Sequence, residues 1–188
     1  IRSCPCRAHT IGCRRRLTAR LSHDVGPKRQ GTQMSKKYVH GYLNEEQDRL
    51  VSQAQYWKEL ILHETEMHPG ERICEIGCGV GAVLGILHDK FNDISLSGID
   101  ISLDQIEYAK GYLASKGILH VDLQLGDAES LPWHENYFDQ VFMIWIVEHF
   151  LDNNLLFREA HRVLKPGGKI SVTETDYTSI AIYPHNKD

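Results

Sequence analysis

The sequence predicts an α/β fold built on a doubly wound parallel sheet, and three observations lead to that prediction. From residue 72 onward, short apolar runs typical of strands alternate with longer segments of helical periodicity. The runs are apolar throughout, which is typical of strands that are covered on both faces. Glycines cluster where the first run meets its helix, as a tight strand-to-helix turn requires. We therefore expect right-handed crossovers and the strand order 3-2-1-4-5.

The elements follow from these patterns in chain order. An amphipathic helix is predicted at 44–66, with Asn44 as its N-cap and Gln47 as the capping-box partner. Ser102 is expected to cap a later helix, which Gly117 ends. The full prediction has strands at 72–76, 94–99, 121–125, 138–145 and 169–175, and further helices at 80–90, 102–116 and 152–163.

Composition favours one domain and disfavours several classes of protein. The chain has 188 residues, 41% of them apolar, without a run of eighteen apolar residues that could cross a membrane. Residues 34–188 hold thirteen Lys and Arg against twenty-four Asp and Glu, so we expect no nucleic-acid partner. Five cysteines and scattered histidines suggest neither a disulfide framework nor a metal site. We expect no membrane or metal and a reducing, cytoplasmic setting.

Residues 1–33 differ from the rest of the chain. They hold eight Lys and Arg and one acid, without a helical or strand period. We expect a disordered basic leader or non-native upstream sequence, because the apolar stripe of the alternative, a transit segment, is missing. Residues 34–70 would form an N-terminal helical cap or lid, and 71–188 the main domain. The chain ends soon after the fifth predicted strand, so we expect an incomplete C-terminus and an open sheet edge.

The most informative stretch is E-x-G-x-G-x-G at 75–81, directly after the first predicted strand. Its glycines would let a ligand approach the main chain at a helix N-terminus. The acid Glu75, two residues before Gly77, would repel a diphosphate but suits a cationic or hydroxyl-rich ligand.

Three further motifs follow at the ends of later predicted strands. They are Asp100 with Ile101, the G-D-A-E-S-L-P-W segment at 126–133, and the L-K-P-G-G turn at 164–168. In this order the four motifs resemble those of class I S-adenosylmethionine-dependent methyltransferases, close to the type 11/12 small-molecule group. The resemblance implies a Rossmann-like fold with later strands missing here, S-adenosylmethionine as cofactor, and a small-molecule acceptor.

The resemblance also implies which residues hold the cofactor. Gly77, Gly79 and Gly81 would lie against its methionine part, and Glu75 would meet its amino group. The full set of implied cofactor contacts is Glu75, Gly77, Cys78, Gly79, Gly81, Asp100 on the ribose, Ile101 on the adenine face, Asp127 and Ala128 at the adenine edge, and Trp145. For Glu75 and Asp100 the alternative is helix capping, for the glycines close packing, and for Asp127 a plain turn.

Two groups of residues are candidates for the acceptor side and the lid. Glu148 and His149 follow the fourth predicted strand, and either could be a general base, the alternative being capping or packing. Tyr38 and Tyr42 flank Gly41 and could close over the cofactor, the alternative being simple packing.

The expected activity is direct in-line methyl transfer, and two rivals stay open. Gly77, Gly79 and Ala82 satisfy the G-x-G-x-x-G/A pattern of an NAD-binding oxidoreductase domain, and Asp100 stands about twenty residues further on. Glu75 and the later motifs favour the methyltransferase. The second rival is a non-catalytic cofactor-binding module.

Overall fold

The computed structural model describes residues 6–11 and 44–176 of the chain. Its strands are β1 (Cys6–Ile11), β2 (Arg72–Ile76), β3 (Ser95–Asp100), β4 (Val121–Leu125), β5 (Phe138–Ile144) and β6 (Leu164–Thr175). Its helices are α1 (Asn44–Tyr56), α2 (Lys58–Ile61), α3 (Ala82–Lys90), α4 (Leu103–Ser115) and α5 (Asn154–Val163), with a 3-10 turn at Val147–His149.

The six strands form one sheet in the order β1-β6-β5-β2-β3-β4. All neighbours from β4 to β6 are parallel, so the predicted order 3-2-1-4-5 of the five parallel strands is confirmed. The strand order reverses between β2 and β5, because the chain runs outward to β4 before it returns to β5. Ligands of open α/β sheets bind beyond the carboxyl ends of the strands at such a point.

Helices and loops cover both faces of the sheet, which explains the uninterrupted apolar strands. Alternate residues of β5 belong to opposite cores: Phe142 and Ile144 pack with α1 to α4, whereas Val141 and Met143 pack with α5. Both cores bury large side chains completely, and this burial is the main force that holds the sheet and helices together.

The outer edge of β6 is covered, contrary to the expected open edge. Residues Cys6–Ile11 pair antiparallel with 170–175 of β6. The prediction that 1–33 contains no strand is therefore wrong at 6–11, and the rest of that segment lies outside the described residues. Backbone N–H and C=O groups make this pairing, so it depends little on the side-chain pattern and leaves no alternating period in the sequence.

The predicted helix at 44–66 is two helices with Trp57 between them. Trp57 has φ −93° and ψ 9°, and it packs against the core that contains α3. Gln47 is buried, and its Nε2 donates to the Asp104 carbonyl of α4 at 3.4 Å, so this amide also makes a long-range contact. The side chain of Asn44, its predicted capping partner, lies outside the described side chains.

The other predicted boundaries hold to within a few residues, with one extension. The Ser102 hydroxyl caps α4 by accepting the Gln105 N–H at 3.3 Å, and Gly117 follows that helix with φ 77°. Strand β6 begins at Leu164 rather than at 169, because Leu164 pairs with Phe138 of β5; the register then shifts, and regular pairing resumes where Lys169 meets Gln140.

Candidate cofactor site

A cavity of about 850 Å³ lies at the carboxyl ends of β2, β3 and β5. This volume is within the range of sites that enclose a drug-sized ligand. The predicted site residues that line it are Glu75, Gly77, Cys78, Gly79, Asp100, Ile101, Asp127, Ala128, Trp145, Glu148 and His149. The folded chain thus brings together predicted residues from four separate segments of the sequence.

The glycine turn is fastened to β3 by its own backbone. The N–H groups of Gly77 and Cys78 donate to the Ile99 carbonyl at 2.8 and 3.0 Å. The Gly79 N–H donates to Asp100 Oδ2 at 2.9 Å. Three successive donors of the turn are therefore already used within the protein.

Glycines of this turn serve close packing as well as the cavity. A Cβ on Gly77, whose φ is +74°, would lie 2.3 Å from Ile146 Cδ1. Gly81 does not line the cavity, contrary to its predicted role as a cofactor contact. A Cβ there would lie 3.1 Å from Ala109 Cβ, so the glycine lets α3 approach α4 closely.

The Glu75 carboxyl is buried at the end of β2, with 2% of the residue exposed. One oxygen accepts the Leu84 N–H of α3, so the helix-capping alternative holds for part of this side chain. Its Oε2 has no hydrogen-bond partner among the described residues. Burial, and next the carboxylate of Asp100, raise the pKa of Glu75 well above its ordinary value.

Asp100 joins the glycine turn to the start of α4. Its Oδ2 accepts from Gly79 and its Oδ1 accepts from the Ser102 N–H, each at 2.9 Å. Burial raises the pKa of this carboxyl, while the backbone N–H groups of Ser102, Gly79 and Ile101 and the charge of His149 oppose that rise. Asp100 is therefore both a helix-start residue and part of the cavity wall.

Next to Asp100, the cavity wall is formed by the turn at Asp127 and by the exposed side chain of Ile101. Asp127 Oδ1 accepts the Glu129 N–H at 2.9 Å, so the plain-turn alternative holds for that oxygen. Ile101 lines the cavity with 64% of its surface exposed, and Ala128 is buried. An exposed isoleucine beside a cavity is suited to pack against a planar ring.

The segment after β5 is held in an unusual conformation. Trp145 has φ +53°, which is uncommon for a residue with a side chain, and its N–H donates to the Thr173 carbonyl at 2.8 Å. The Val147 N–H donates to Glu174 Oε1 at 2.6 Å. These bonds to β6 hold the turn that carries Glu148 and His149, both exposed at the cavity.

Sequence analysis missed the residues that α1 and α4 bring to the cavity. They are Arg49, Leu50, Gln53, Ala54, Ser102 and Gln105, with Thr175 added from β6. The Tyr108 hydroxyl holds α1 over the site by donating to Asp48 Oδ1 at 2.6 Å. Leu50 and Ala54 are apolar residues of the predicted amphipathic helix at 44–66, and its amphipathic pattern is the signal that could have found them. Tyr38 and Tyr42 lie outside the described residues.

The chemistry of the wall suits a cationic, hydroxyl-bearing ligand such as S-adenosylmethionine. Four carboxylates line the cavity: Glu75, Asp100, Asp127 and Glu148. Within the described part of the chain, no group of three or more His, Cys, Asp and Glu side chains is arranged to hold a metal ion. In the same part, no helix is long and apolar enough to cross a bilayer.

The parallel sheet, its strand order and the acidic residues at two strand ends define a class I methyltransferase domain. Residues 74–172 match the family model described as "Methyltransferase domain", and the chain belongs to this family. The family and the fold identify S-adenosylmethionine as the cofactor of the domain.

Known relatives agree with this assignment. The chain is 29% identical over 128 residues to methyltransferase GfsG of Streptomyces halstedii, covering 68% of this chain and 46% of that protein. It is 25% identical over 131 residues to the ubiquinone/menaquinone biosynthesis C-methyltransferase UbiE of Geotalea daltonii, covering 69% and 56%. The crystal structure of the [4+2]-cyclase SpnF is similar with 33% identity and a TM-score of 0.58, covering 64% and 44%. The chain spans about half the length of the curated relatives it matches.

Proposed function

We propose that this chain transfers a methyl group from S-adenosylmethionine to a small-molecule acceptor by direct in-line transfer. The proposal rests on one observation: the backbone N–H groups of the glycine turn already donate hydrogen bonds within the protein. The N–H groups of Gly77, Cys78 and Gly79 already donate to β3, so they do not form a cradle for a diphosphate. Beside them the buried Glu75 carboxyl has an oxygen without a partner in the described chain, which suits a cation. An NAD site needs the opposite arrangement.

Each part of the cofactor has a candidate partner on the wall. We assign its amino group to Glu75 and its ribose hydroxyls to Asp100, because carboxylates are strong acceptors for both. Ile101 would pack on the adenine face, and Asp127 with the Ala128 N–H would meet the adenine edge. When bound, S-adenosylmethionine supplies a methyl group on a sulfonium, which is an activated donor.

The chain itself contributes alignment and the exclusion of water. The cavity of about 850 Å³ lies toward the upper end of the range for small-molecule sites, which leaves room for an acceptor beside the cofactor. Trp145, Phe150 and Thr175 line the side where β5 and β6 end, and we assign the acceptor to that side. The name of UbiE, a C-methyltransferase of quinone biosynthesis, supports a small acceptor.

A general base is needed only for an acceptor that must lose a proton. Glu148 and His149 both line the cavity and are exposed. We propose His149 for this role, because an imidazole can both accept and release a proton in general acid–base catalysis. The charge of His149 acts on the Asp100 carboxyl, which puts the two side chains on a common part of the wall.

The acidic balance of residues 34–188 supports an acceptor that is neither a nucleic acid nor a membrane lipid surface. Cys74 and Cys78 are free, buried thiols. Thiols in this state fit the reducing cytoplasm that the cysteine usage favours. We therefore propose a cytoplasmic enzyme with a diffusible acceptor.

Calorimetry and thermal unfolding with S-adenosylhomocysteine, S-adenosylmethionine and NAD test the proposal. We expect both sulfur compounds to bind. At a hundredfold excess over its dissociation constant, S-adenosylhomocysteine should stabilise the fold by about 2.7 kcal/mol, and NAD should leave stability unchanged. Stabilisation by NAD alone would select the oxidoreductase alternative.

A second measurement separates an enzyme from a cofactor-binding module. A mass-spectrometric screen of small acceptors with S-adenosylmethionine should detect a methylated product. The relative SpnF is named a [4+2]-cyclase, so membership of the fold alone does not fix the reaction. Tight cofactor binding with no product from phenol, amine, quinol or thiol acceptors would favour the module.

A further inference from the structure

We infer that Gln105 is a further cofactor-binding residue, whose amide oxygen accepts a hydrogen bond from a ribose hydroxyl. The inference rests on the proposed function of the cavity. Gln105 is buried, with 3% of its surface exposed, and it lines the cavity. Its Oε1 has no hydrogen-bond partner among the described residues. Buried amide oxygens are normally bonded, so an orphan at a cavity wall indicates a partner that arrives with the ligand.

The position of Gln105 selects the ribose as that partner. Its backbone N–H donates to the Ser102 hydroxyl at 3.3 Å, and the Ser102 N–H donates to Asp100 Oδ1 at 2.9 Å. The turn from Asp100 to Gln105 is thus held by successive hydrogen bonds, and Asp100, Ser102 and Gln105 all line the cavity. The amide therefore shares a wall with the residue assigned to the ribose.

The hydrogen-bonding capacity of Asp100 supports a second acceptor at this wall. Each of its two oxygens already accepts one backbone N–H. A ribose presents two hydroxyl donors, and their geometry is easier to satisfy when a carboxylate and an amide share them. The terminal torsion of a glutamine side chain is soft, so the Gln105 oxygen can turn toward the ligand at little cost.

Gln47 provides a matched comparison on the facing helix. It is buried to a similar degree, with 4% exposed. Its Nε2 donates to the Asp104 carbonyl at 3.4 Å, so this amide joins α1 to α4. The two glutamines are alike in chemistry and burial, but the Gln47 amide is bonded to α4, whereas the Gln105 amide oxygen has no hydrogen-bond partner among the described residues.

The test replaces each amide by an apolar side chain of similar size. Gln105→Met and Gln105→Leu should leave the unfolding temperature of the empty protein equal or higher, because a buried orphan oxygen is removed. Calorimetry should show S-adenosylhomocysteine binding roughly three- to tenfold more weakly, the range of one neutral hydrogen bond. Gln47→Met should instead lower the unfolding temperature, with a smaller change in affinity.

Ribose analogues locate the contact. The wild type should bind the 2′-deoxy or the 3′-deoxy form of S-adenosylhomocysteine more weakly than the parent compound, and Gln105→Met should be insensitive to the loss of one of these hydroxyls. Unchanged affinity in both Gln105 variants, a lower stability of both, or an equal loss of affinity in Gln47→Met would overturn the inference. A wild type that does not bind S-adenosylhomocysteine would instead refute the proposed function.

Discussion

Carboxylates at the two ends of the parallel strands have opposite surroundings. At the amino end, Asp139 at the start of β5 lies 2.7 and 2.8 Å from Lys165 Nζ, and its Oδ2 also accepts the Arg72 N–H at 2.9 Å. Nearby, Gln140 Nε2 donates to Glu71 Oε2 at 2.8 Å. Each of these polar side chains finds its partner within the fold, across neighbouring elements.

At the carboxyl end, Glu75 and Asp100 share one wall, and among the described residues neither forms an ion pair with a Lys or Arg. Glu75 keeps an oxygen without a partner in the described chain, and Asp100 is bonded to backbone donors. Burial raises the pKa of both groups. Their surroundings disfavour the charged form, which costs stability in the empty protein.

The difference supports the proposal that the amino end stabilises the fold and that the carboxyl end binds the cofactor. A buried carboxylate that lacks a cation is poorly placed for folding but well placed for a ligand that brings positive charge and hydroxyls. The paired carboxylate of Asp139 at the amino end contributes to stability, and both of its oxygens already accept hydrogen bonds within the fold. Variants at matched positions of the two ends should therefore separate affinity from stability.

The largest effect is expected from Gly77→Ala. The left-handed φ costs roughly 1–2 kcal/mol for a residue with a Cβ. Overpacking against Ile146, whose Cδ1 would lie 2.3 Å away, adds about 1–3 kcal/mol. Unfolding and calorimetry should show lower stability together with at least a tenfold loss of S-adenosylhomocysteine affinity.

Gly168→Ala is the control at the amino end. A Cβ there would lie 2.8 Å from the Asp139 carbonyl oxygen, so it should also destabilise the fold. The folded fraction should keep wild-type affinity, because Gly168 does not belong to the cavity wall in the described chain. Equal losses of affinity in Gly77→Ala and Gly168→Ala would contradict the division between the ends.

The second-largest effect on cofactor affinity is expected from Asp100→Ala, with Asp139→Ala as its control at the amino end. Asp100 holds Gly79 and the start of α4, and its proposed bonds to the ribose hydroxyls would be charge-assisted, contributing roughly 1.5–3 kcal/mol each. Cofactor affinity should therefore fall by ten- to a hundredfold, accompanied by some loss of stability. In Asp139→Ala only the unfolding temperature should fall. Wild-type affinity in Asp100→Ala would mean that this side chain serves the helix start alone.

The sequence predicts which residues line the cavity better than it predicts the contacts elsewhere in the molecule, and the reason is physical. Glu75, Asp100 and the Ser102 cap stand next to glycines and strand ends that mark them locally, so their places could be read from short motifs. The packing role of Gly81 could not be predicted from a short motif, because the side chains it packs against, Ala109 and Leu113, belong to a different helix.

Contacts made by the backbone, or between residues far apart in the chain, could not be predicted from the sequence pattern either. Strand β1 pairs with β6 through main-chain groups, which leave no period in the sequence. Gln47 fits a capping box by spacing, but its amide bonds to Asp104, 57 residues away. Arg49 and Gln53 reach the cavity only because α1 folds over it.

A third effect should come from Glu75→Gln, and it should have opposite signs for stability and binding. A carboxyl whose pKa is raised in the fold carries an extra proton relative to the unfolded chain, so stability falls as pH rises from its ordinary value of 4.5 toward the raised value. The amide removes this pH dependence. Unfolding from pH 5 to 9 should show the empty variant gaining on wild type as pH rises, while calorimetry shows weaker S-adenosylhomocysteine binding. Parallel stability curves for the two proteins would refute this account of Glu75.

The smallest effect should come from the ion pair at the amino end. Partial burial raises the pKa of Asp139, but the Arg72 N–H and Lys165 outweigh it, so the folded value is lowered from 3.8. A lowered carboxyl pKa contributes stability that is fully present above the unfolded value and is lost as pH falls through the folded value. Lys165→Met should therefore cost up to about 1 kcal/mol at pH 7, typical of a partly exposed pair. The difference from wild type should shrink below about pH 4 and diminish in high salt. Unfolding curves at pH 7 and pH 3 measure it, and a difference that persists in acid would mean that Lys165 acts through packing of its stem rather than through charge.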